Sequence, residues 1–253
     1  MQGELLKNRL CARKRTVGSW LSINNEMTAE IMASAGFEWL VIDMEHAPIG
    51  ISEAAKLIRV IELAGLASLC RLPSNDPVIA KNVLDAGASG IIIPSVETTD
   101  EARQAVDAVY YPPTGKRGTG LGRAHAYGSK FQAYKDKTID SLSVIVMIET
   151  EKGAANAEAI FEVQGIDAAL VGPYDLSASL GVSGQLEHPK VIASTEHIIA
   201  VAKDRGISCG LHVVHPSRKT ITDAFERGYT FLACGVDMIL LASAAQETVN
   251  LAR

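Results

Sequence analysis

The chain has 253 residues, of which 47% are hydrophobic and 21% charged, with a formal net charge of -5. That balance excludes a disordered chain and fits a globular protein with a large core, while the absence of any Lys and Arg stripe excludes a surface built for phosphate backbones, so no nucleic-acid partner is expected. No apolar run is long enough to span a bilayer, residues 1–7 lack an apolar signal core, and Cys11, Cys70, Cys209 and Cys234 are scattered without metal-ligand spacing, which together predict a cytoplasmic protein with reduced thiols and no membrane partner.

After a polar, helical or frayed start to about Arg15, Val17 to Ser22 reads as a short strand and Met27 to Ser34 as an amphipathic helix closing at Gly36. The next stretch organises the chain. Trp39 to Ile42 is apolar throughout, as a buried parallel strand should be, yet it runs directly into Asp43, Glu45 and His46. Ionisable groups belong at a strand's mouth, where water or a ligand satisfies them. A lone histidine there would more often be structural, but later strand ends repeat the pattern.

A helix from Ile51 to Leu63 closes at Gly65 and feeds the strand Ala67 to Leu72, which carries Arg71 at its end. Asp76 caps a helix that Pro77 starts and that runs to Asp85, with Gly87 as its stop. The spacing predicts a strand over Gly90–Val96, and Thr98 and Glu101 have capping-box spacing for a helix to about Val109. From Tyr110 to Leu142 the rhythm breaks: Pro112, Pro113 and glycines at 115, 118, 120, 122 and 128 predict a long functional loop holding one helix. Gly118 to Gly122 superficially resembles a dinucleotide fingerprint, but no strand precedes it and the last glycine is misplaced.

Downstream, the strand Val144–Ile148 ends in Glu149, a helix spans Lys152–Phe161, and the strand Ala168–Val171 ends in Gly172, Pro173, Tyr174 and Asp175. A helix from Pro189 to Arg205 closes at Gly206, the strand Ser208–Val213 carries His212, and a helix from Pro216 ends at Gly228. The strand Thr230–Gly235 precedes a last helix to Leu251. Helices closing on Gly36, Gly65, Gly87, Gly165, Gly206 and Gly228, each followed by a strand, form a repeat of about eight strand–helix units. This predicts one domain over 1–253, a single (β/α)8 TIM barrel of the α/β class, with a doubly wound sheet as the competing arrangement. His46, Arg71, Glu149 and Asp175 then share the catalytic end of the barrel.

Glu149 and Asp175 follow consecutive strands, and adjacent carboxylates repel unless a positive charge lies between them. Arg71 could supply it in a structural ion-pair network. The sharper reading is a hard divalent cation, magnesium or manganese, held by oxygen ligands. It would polarise a carbonyl, with Arg71 facing the developing oxyanion and His46, near Asp43, transferring the proton. No lysine lies inside an apolar strand, which disfavours a Schiff base.

Five stretches, at residues 42–48, 71–77, 111–118, 148–150 and 172–177, resemble the metal-dependent (class II) pyruvate aldolases of the HpcH/HpaI type. That family takes in 4-hydroxy-2-oxoheptanedioate, 2-dehydro-3-deoxyglucarate and 2-keto-3-deoxy-L-rhamnonate aldolases. The likeness covers nearly the whole chain. It implies a lyase that cleaves a 4-hydroxy-2-oxo acid to pyruvate and an aldehyde through a metal-stabilised pyruvate enolate, with magnesium, manganese or cobalt as cofactor. It implies Glu149 and Asp175 as metal ligands, His46, near Asp43, as acid/base, Arg71 as enolate stabiliser, and Asp85 as the carboxylate tuning that histidine. It also implies a homohexamer whose sites are completed by a neighbouring subunit, and substrate contacts at Met147, Gly172, Tyr174, Asp175 and His212. Met147 stands where the best-known members have glutamine, His212 where they are apolar, and Tyr174 where they have a smaller residue in a backbone-amide role. These departures bear on the aldehyde partner. Oxaloacetate decarboxylation through the same enolate is the competing reaction. A non-catalytic barrel, and a phosphosugar isomerase binding phosphate at Gly235 to Asp237, are the readings from other classes.

Overall fold

The computed structural model describes residues 2–253. Helix α1 (Gln2–Cys11) precedes β1 (Thr16–Leu21), α2 (Glu26–Ser34), β2 (Trp39–Asp43), α3 (Ile51–Leu63), β3 (Ala67–Arg71), α4 (Pro77–Asp85), β4 (Gly90–Ile93) and α5 (Thr99–Val109). A long connection holding α6 (Phe131–Asp136) leads to β5 (Ser143–Ile148), α7 (Glu151–Ala155), α8 (Ala157–Phe161), β6 (Ala168–Val171) and α9 (Pro173–Ser179). The chain ends with α10 (Pro189–Asp204), β7 (Ser208–Val213), α11 (Arg218–Glu226), β8 (Phe231–Val236) and α12 (Asp237–Leu251). All strand pairs are parallel, in the order β1 to β8, and β8 pairs back to β1 to close the barrel. The doubly wound alternative is thereby removed.

Two-residue strand periodicity divides the core into two shells. Trp39, Val41, Ala67, Leu69, Ile92, Ile145, Met147, Leu170, Phe231 and Ala233 face the barrel axis as one cluster. Their neighbours, among them Leu40, Ile42, Cys70, Ile91, Ile93, Val146, Ile148 and Val171, pack against the helices as another. The floor is filled by Trp39 stacked on Phe231 at 4.2 Å, and Leu6 and Leu10 of α1 close it from below. Gly18 is obligatory there, because a Cβ would run into the Trp39 ring. The interior is thus apolar below, and the same parity carries Asp43, Arg71, Glu149 and His212 inward at the top.

The six helix-closing glycines all adopt the left-handed conformation, with φ between 72° and 109°, so each ends its helix and turns the chain into the next strand. Differences from the sequence expectation have local causes. The strand from Gly90 stops at Ile93, not Val96, because Ser95 turns to φ 50°. The helix expected over 152–161 breaks at Asn156 into α7 and α8. The segment after β6 is not a bare loop: Pro173 starts the short α9. The segment from Tyr110 to Leu142 follows α5, so it lies at the N-terminal end of the strands, opposite the catalytic mouth.

Candidate active site

Asp43 and Arg71 are register partners on β2 and β3, and both face inward at the mouth. Arg71 donates from Nε to Asp43 Oδ1 at 3.0 Å and from Nη2 to Oδ2 at 2.7 Å. Its Nη1 lies 3.2 Å from Glu45 Oε2, and its guanidinium carbon lies over the Trp20 ring at 4.4 Å. Two of its five N–H groups donate to Asp43, so the second on Nη2 and the two on Nη1, which lies in ion-pair range of Glu45, remain for a ligand. Asp43 Oδ1 also accepts the backbone N–H groups of Glu45 and His46, both at 3.1 Å, which folds the strand end into a tight turn. Burial raises the Glu45 carboxyl above its ordinary value, against the pull of Arg71.

Glu149 continues β5 and is buried. Its Oε1 accepts from the Ser95 backbone N–H at 2.7 Å and from the Ser95 hydroxyl at 2.9 Å. The left-handed turn at Ser95, costly for a non-glycine residue, is what aims both donors at one oxygen. Oε2 has no hydrogen-bond partner among the described residues. Gly172 leaves space beside that oxygen, for a Cβ there would stand 2.6 Å from it. Asp175 follows in the first turn of α9 and is exposed. Burial raises the Glu149 carboxyl above its ordinary value; the Ser95 hydrogen bonds oppose the shift, and the charge of Asp175 adds to it.

These residues fit a hard divalent cation. A buried carboxylate with one oxygen held and the other free, beside a second carboxylate, offers negative charge and oxygen ligands in a site that disfavours charge when empty. Among the described residues no group of three or more His, Cys, Asp or Glu side chains is placed to hold a metal. Two carboxylates would therefore leave most coordination positions to water or substrate. The purely structural pairing of Glu149 and Asp175 with Arg71 does not occur, since Arg71 pairs with Asp43 and Glu45.

The other sequence-derived residues divide between the mouth and elsewhere. The His46 side chain is 65% exposed, and its Nε2 lies 3.7 Å from Glu45 Oε2; Asp43 contacts its backbone, not its ring. Met147 is buried among the axial side chains, and Tyr174 is exposed on α9. His212 projects inward from β7, tilted against Trp20 with ring centroids 5.5 Å apart. Asp85 lies at the C-terminal end of α4, away from the mouth, where the fully buried Arg117 donates to its Oδ1 at 2.6 Å. Gly120 passes so close that a Cβ would stand 2.6 Å from Asp85 Oδ2. Part of the glycine-rich segment is therefore a wrapping for Asp85. The turn after β8 holds a carboxylate of its own: Asp237 accepts the N–H groups of Ser22 and Ile23, both at 2.9 Å, which argues against phosphate there. Sequence reasoning missed Ser95, Trp20, Arg117 and the Arg71 contact of Glu45. Only Glu45 carried a signal, as a polar residue just past a strand; the expected strand Gly90–Val96 enclosed Ser95.

The profile of a family described as HpcH/HpaI aldolase/citrate lyase matches residues 16–244. The chain is 37% identical to a 5-keto-4-deoxy-D-glucarate aldolase of Citrobacter koseri over 245 residues, 96% of this chain and 94% of that protein. It is also 37% identical to a 4-hydroxy-2-oxo-heptane-1,7-dioate aldolase of Escherichia coli, across 95% of this chain and 91% of that one. A crystal structure of an HpcH/HpaI aldolase/citrate lyase family protein from Burkholderia cenocepacia superposes with a TM-score of 0.94 at 33% identity, covering 99% of both chains.

Proposed function

The chain belongs to the HpcH/HpaI aldolase/citrate lyase family of carbon–carbon lyases, and on that premise we propose that it is a divalent-cation-dependent aldolase. It reversibly cleaves a 4-hydroxy-2-oxo acid to pyruvate and an aldehyde. The observation that carries the reading is the state of Glu149: buried, raised by burial, fixed at one oxygen by Ser95 and open at the other.

Glu149 and Asp175 are the proposed ligands, with magnesium, manganese or cobalt as the ion. Bound there, such an ion supplies a Lewis acid to the 2-oxo group of the substrate. Arg71, held flat by Asp43 and Trp20, directs its remaining N–H groups at the oxygen that gains charge as the C3–C4 bond breaks. His46 takes the proton from the 4-hydroxyl, so that the aldehyde carbonyl forms and the bonding pair passes to the three-carbon fragment; it then returns a proton to C3. The backbone around Gly172 and Tyr174, at the start of α9, receives the pyruvate carboxylate. Met147 forms the apolar floor beneath it.

The active form is a homo-oligomer, a hexamer on the family resemblance. Support comes from α12, which leaves its own barrel: within this helix only Asp237 is buried, and every residue from Leu241 onward is exposed. Leu241, Val249 and Leu251 thus face solvent in the isolated chain, as do Met27 and Ile31, one turn apart on α2. In the same assembly we place a neighbour's Asp85 at His46, on the family resemblance.

The test is a chelator. Removal of divalent ions should abolish pyruvate release from a panel of 4-hydroxy-2-oxo acids, and magnesium, manganese or cobalt should restore it. Activity that survives chelation, together with an adduct trapped by borohydride and pyruvate, would replace this reading with a Schiff-base mechanism. Oxaloacetate cleaved to the exclusion of every hydroxy-oxo acid would turn it into a decarboxylase.

A further inference from the structure

The mouth of the barrel has two unlike halves. Asp43, Arg71, Glu149 and Asp175, from β2, β3, β5 and the start of α9, make one half charged. On the other side Trp20 of β1 and His212 of β7 stand together, and Trp20 touches both His212 and the Arg71 guanidinium. A second reactant that meets a three-carbon nucleophile held between Arg71 and Glu149 has the Trp20–His212 side open to it.

His212 is fixed in one tautomer. Its Nε2 lies 3.2 Å from the Gly235 carbonyl oxygen, which can only accept, so Nε2 carries the ring proton. Burial pushes the imidazole down to about 4, so the ring is neutral at physiological pH. Nδ1 is therefore a bare acceptor. Among the described residues it has no hydrogen-bond partner, and it is not among the side-chain atoms sealed from solvent.

We propose that His212 selects the aldehyde: its Nδ1 accepts a hydrogen bond from a hydroxyl group, making the co-substrate a hydroxyaldehyde. A carboxylate or phosphate tail would set negative charge against the Nδ1 lone pair. An alkyl tail would strip Nδ1 of water and return no hydrogen bond, an asymmetry that a polar pocket turns into discrimination. This inference rests on the aldolase reading above and names the substrate class within it.

The experiment uses addition of pyruvate to glycolaldehyde and to propionaldehyde, which differ by a hydroxyl in place of a methyl group. The ratio of their kcat/KM values is measured for the wild type, His212→Leu and His212→Asn. The expected result is a wild-type preference for glycolaldehyde that falls about 5- to 10-fold in His212→Leu and is largely kept in His212→Asn, whose amide oxygen can stand in for Nδ1. His212→Phe, which keeps the ring volume beside Trp20 without any acceptor, is read in the same way should the leucine variant fail to fold. An unchanged ratio in these acceptor-less variants overturns the proposal. Deuterium exchange at the pyruvate methyl group separates the two layers: no exchange in the wild type defeats the aldolase reading itself, whereas exchange with an unchanged ratio defeats only the role of His212.

Discussion

Gly172 and Glu149 are mutually adjusted: a Cβ on Gly172 would stand 2.6 Å from Glu149 Oε2 and 2.7 Å from Glu149 Cβ. The glycine has no left-handed φ to explain it; its small size serves the carboxylate across the strand pair. Gly172→Ala should push Oε2 from its position while leaving the barrel closed. The expected outcome is a loss of roughly 10- to 100-fold in manganese affinity, the scale typical of disturbed supporting residues around a metal. Titration of the metal-depleted protein with manganese, read calorimetrically, checks this. Unchanged affinity would show that Oε2 is not a ligand.

Glu149→Gln tests the same oxygen from the side of stability. Because burial raises the Glu149 carboxyl above its ordinary value, folding of the metal-free protein favours the neutral acid. That contribution to stability is fully present below the unfolded-chain value and is lost as pH rises through the higher folded value. The amide introduced by this substitution would keep an acceptor for Ser95 without the charge. The metal-free variant should therefore gain melting temperature over the wild type as pH rises from acid to neutral, while added manganese raises the melting temperature of the wild type alone. A manganese shift of equal size in both proteins would remove Glu149 from the ligand set.

Much of this architecture was legible in the chain because its signals are local. Asp76 before Pro77 announces a capped helix, and the Asp76 carboxylate does accept from the Val78 and Ile79 N–H groups. The change from apolar residues to Asp43 marks the strand mouth, since a buried parallel strand tolerates no charge along its length. What stayed hidden depends on contacts remote in sequence. Arg71 was within reach of four carboxylates by topology alone, and only the register of β2 against β3, with the turn that follows Asp43, decides for Asp43 and Glu45. Ser95 has no sequence mark of its left-handed turn, because serine seldom adopts one. The helix at Pro173 is too short for a 3.6-residue period to emerge, and nothing in the run after Asp237 marks that its own barrel leaves α12 uncovered.

Arg71→Ala should lower kcat by about 10²- to 10³-fold, the usual consequence of losing one preorganised oxyanion donor. It should also lower the melting temperature, since the buried Asp43 loses both side-chain donors and keeps only the two backbone N–H groups. Lysine cannot reproduce the fork: an ammonium can meet one Asp43 oxygen but not both while still facing a substrate. Arg71→Lys should therefore recover stability more than turnover. Full turnover in either variant would confine Arg71 to a structural role.

The last prediction concerns Asp85 and His46, which one chain keeps at opposite ends of its strands. Arg117 and the close passage of Gly120 hold the Asp85 carboxylate in place, an arrangement a free surface residue does not need. If a neighbour's Asp85 serves His46, then Asp85→Ala and His46→Ala should each be nearly inactive alone. Co-expressed, they should regain activity, because some sites draw His46 from one variant and Asp85 from the other. Random mixing of isologous or cyclic contacts predicts recovery of roughly a quarter of wild-type turnover. A single chain working alone could recover nothing, because no subunit in the mixture carries both residues. Equal inactivity of the mixture and its components would therefore refute the shared site, and a monomer by sedimentation with full wild-type activity would refute the oligomer with it.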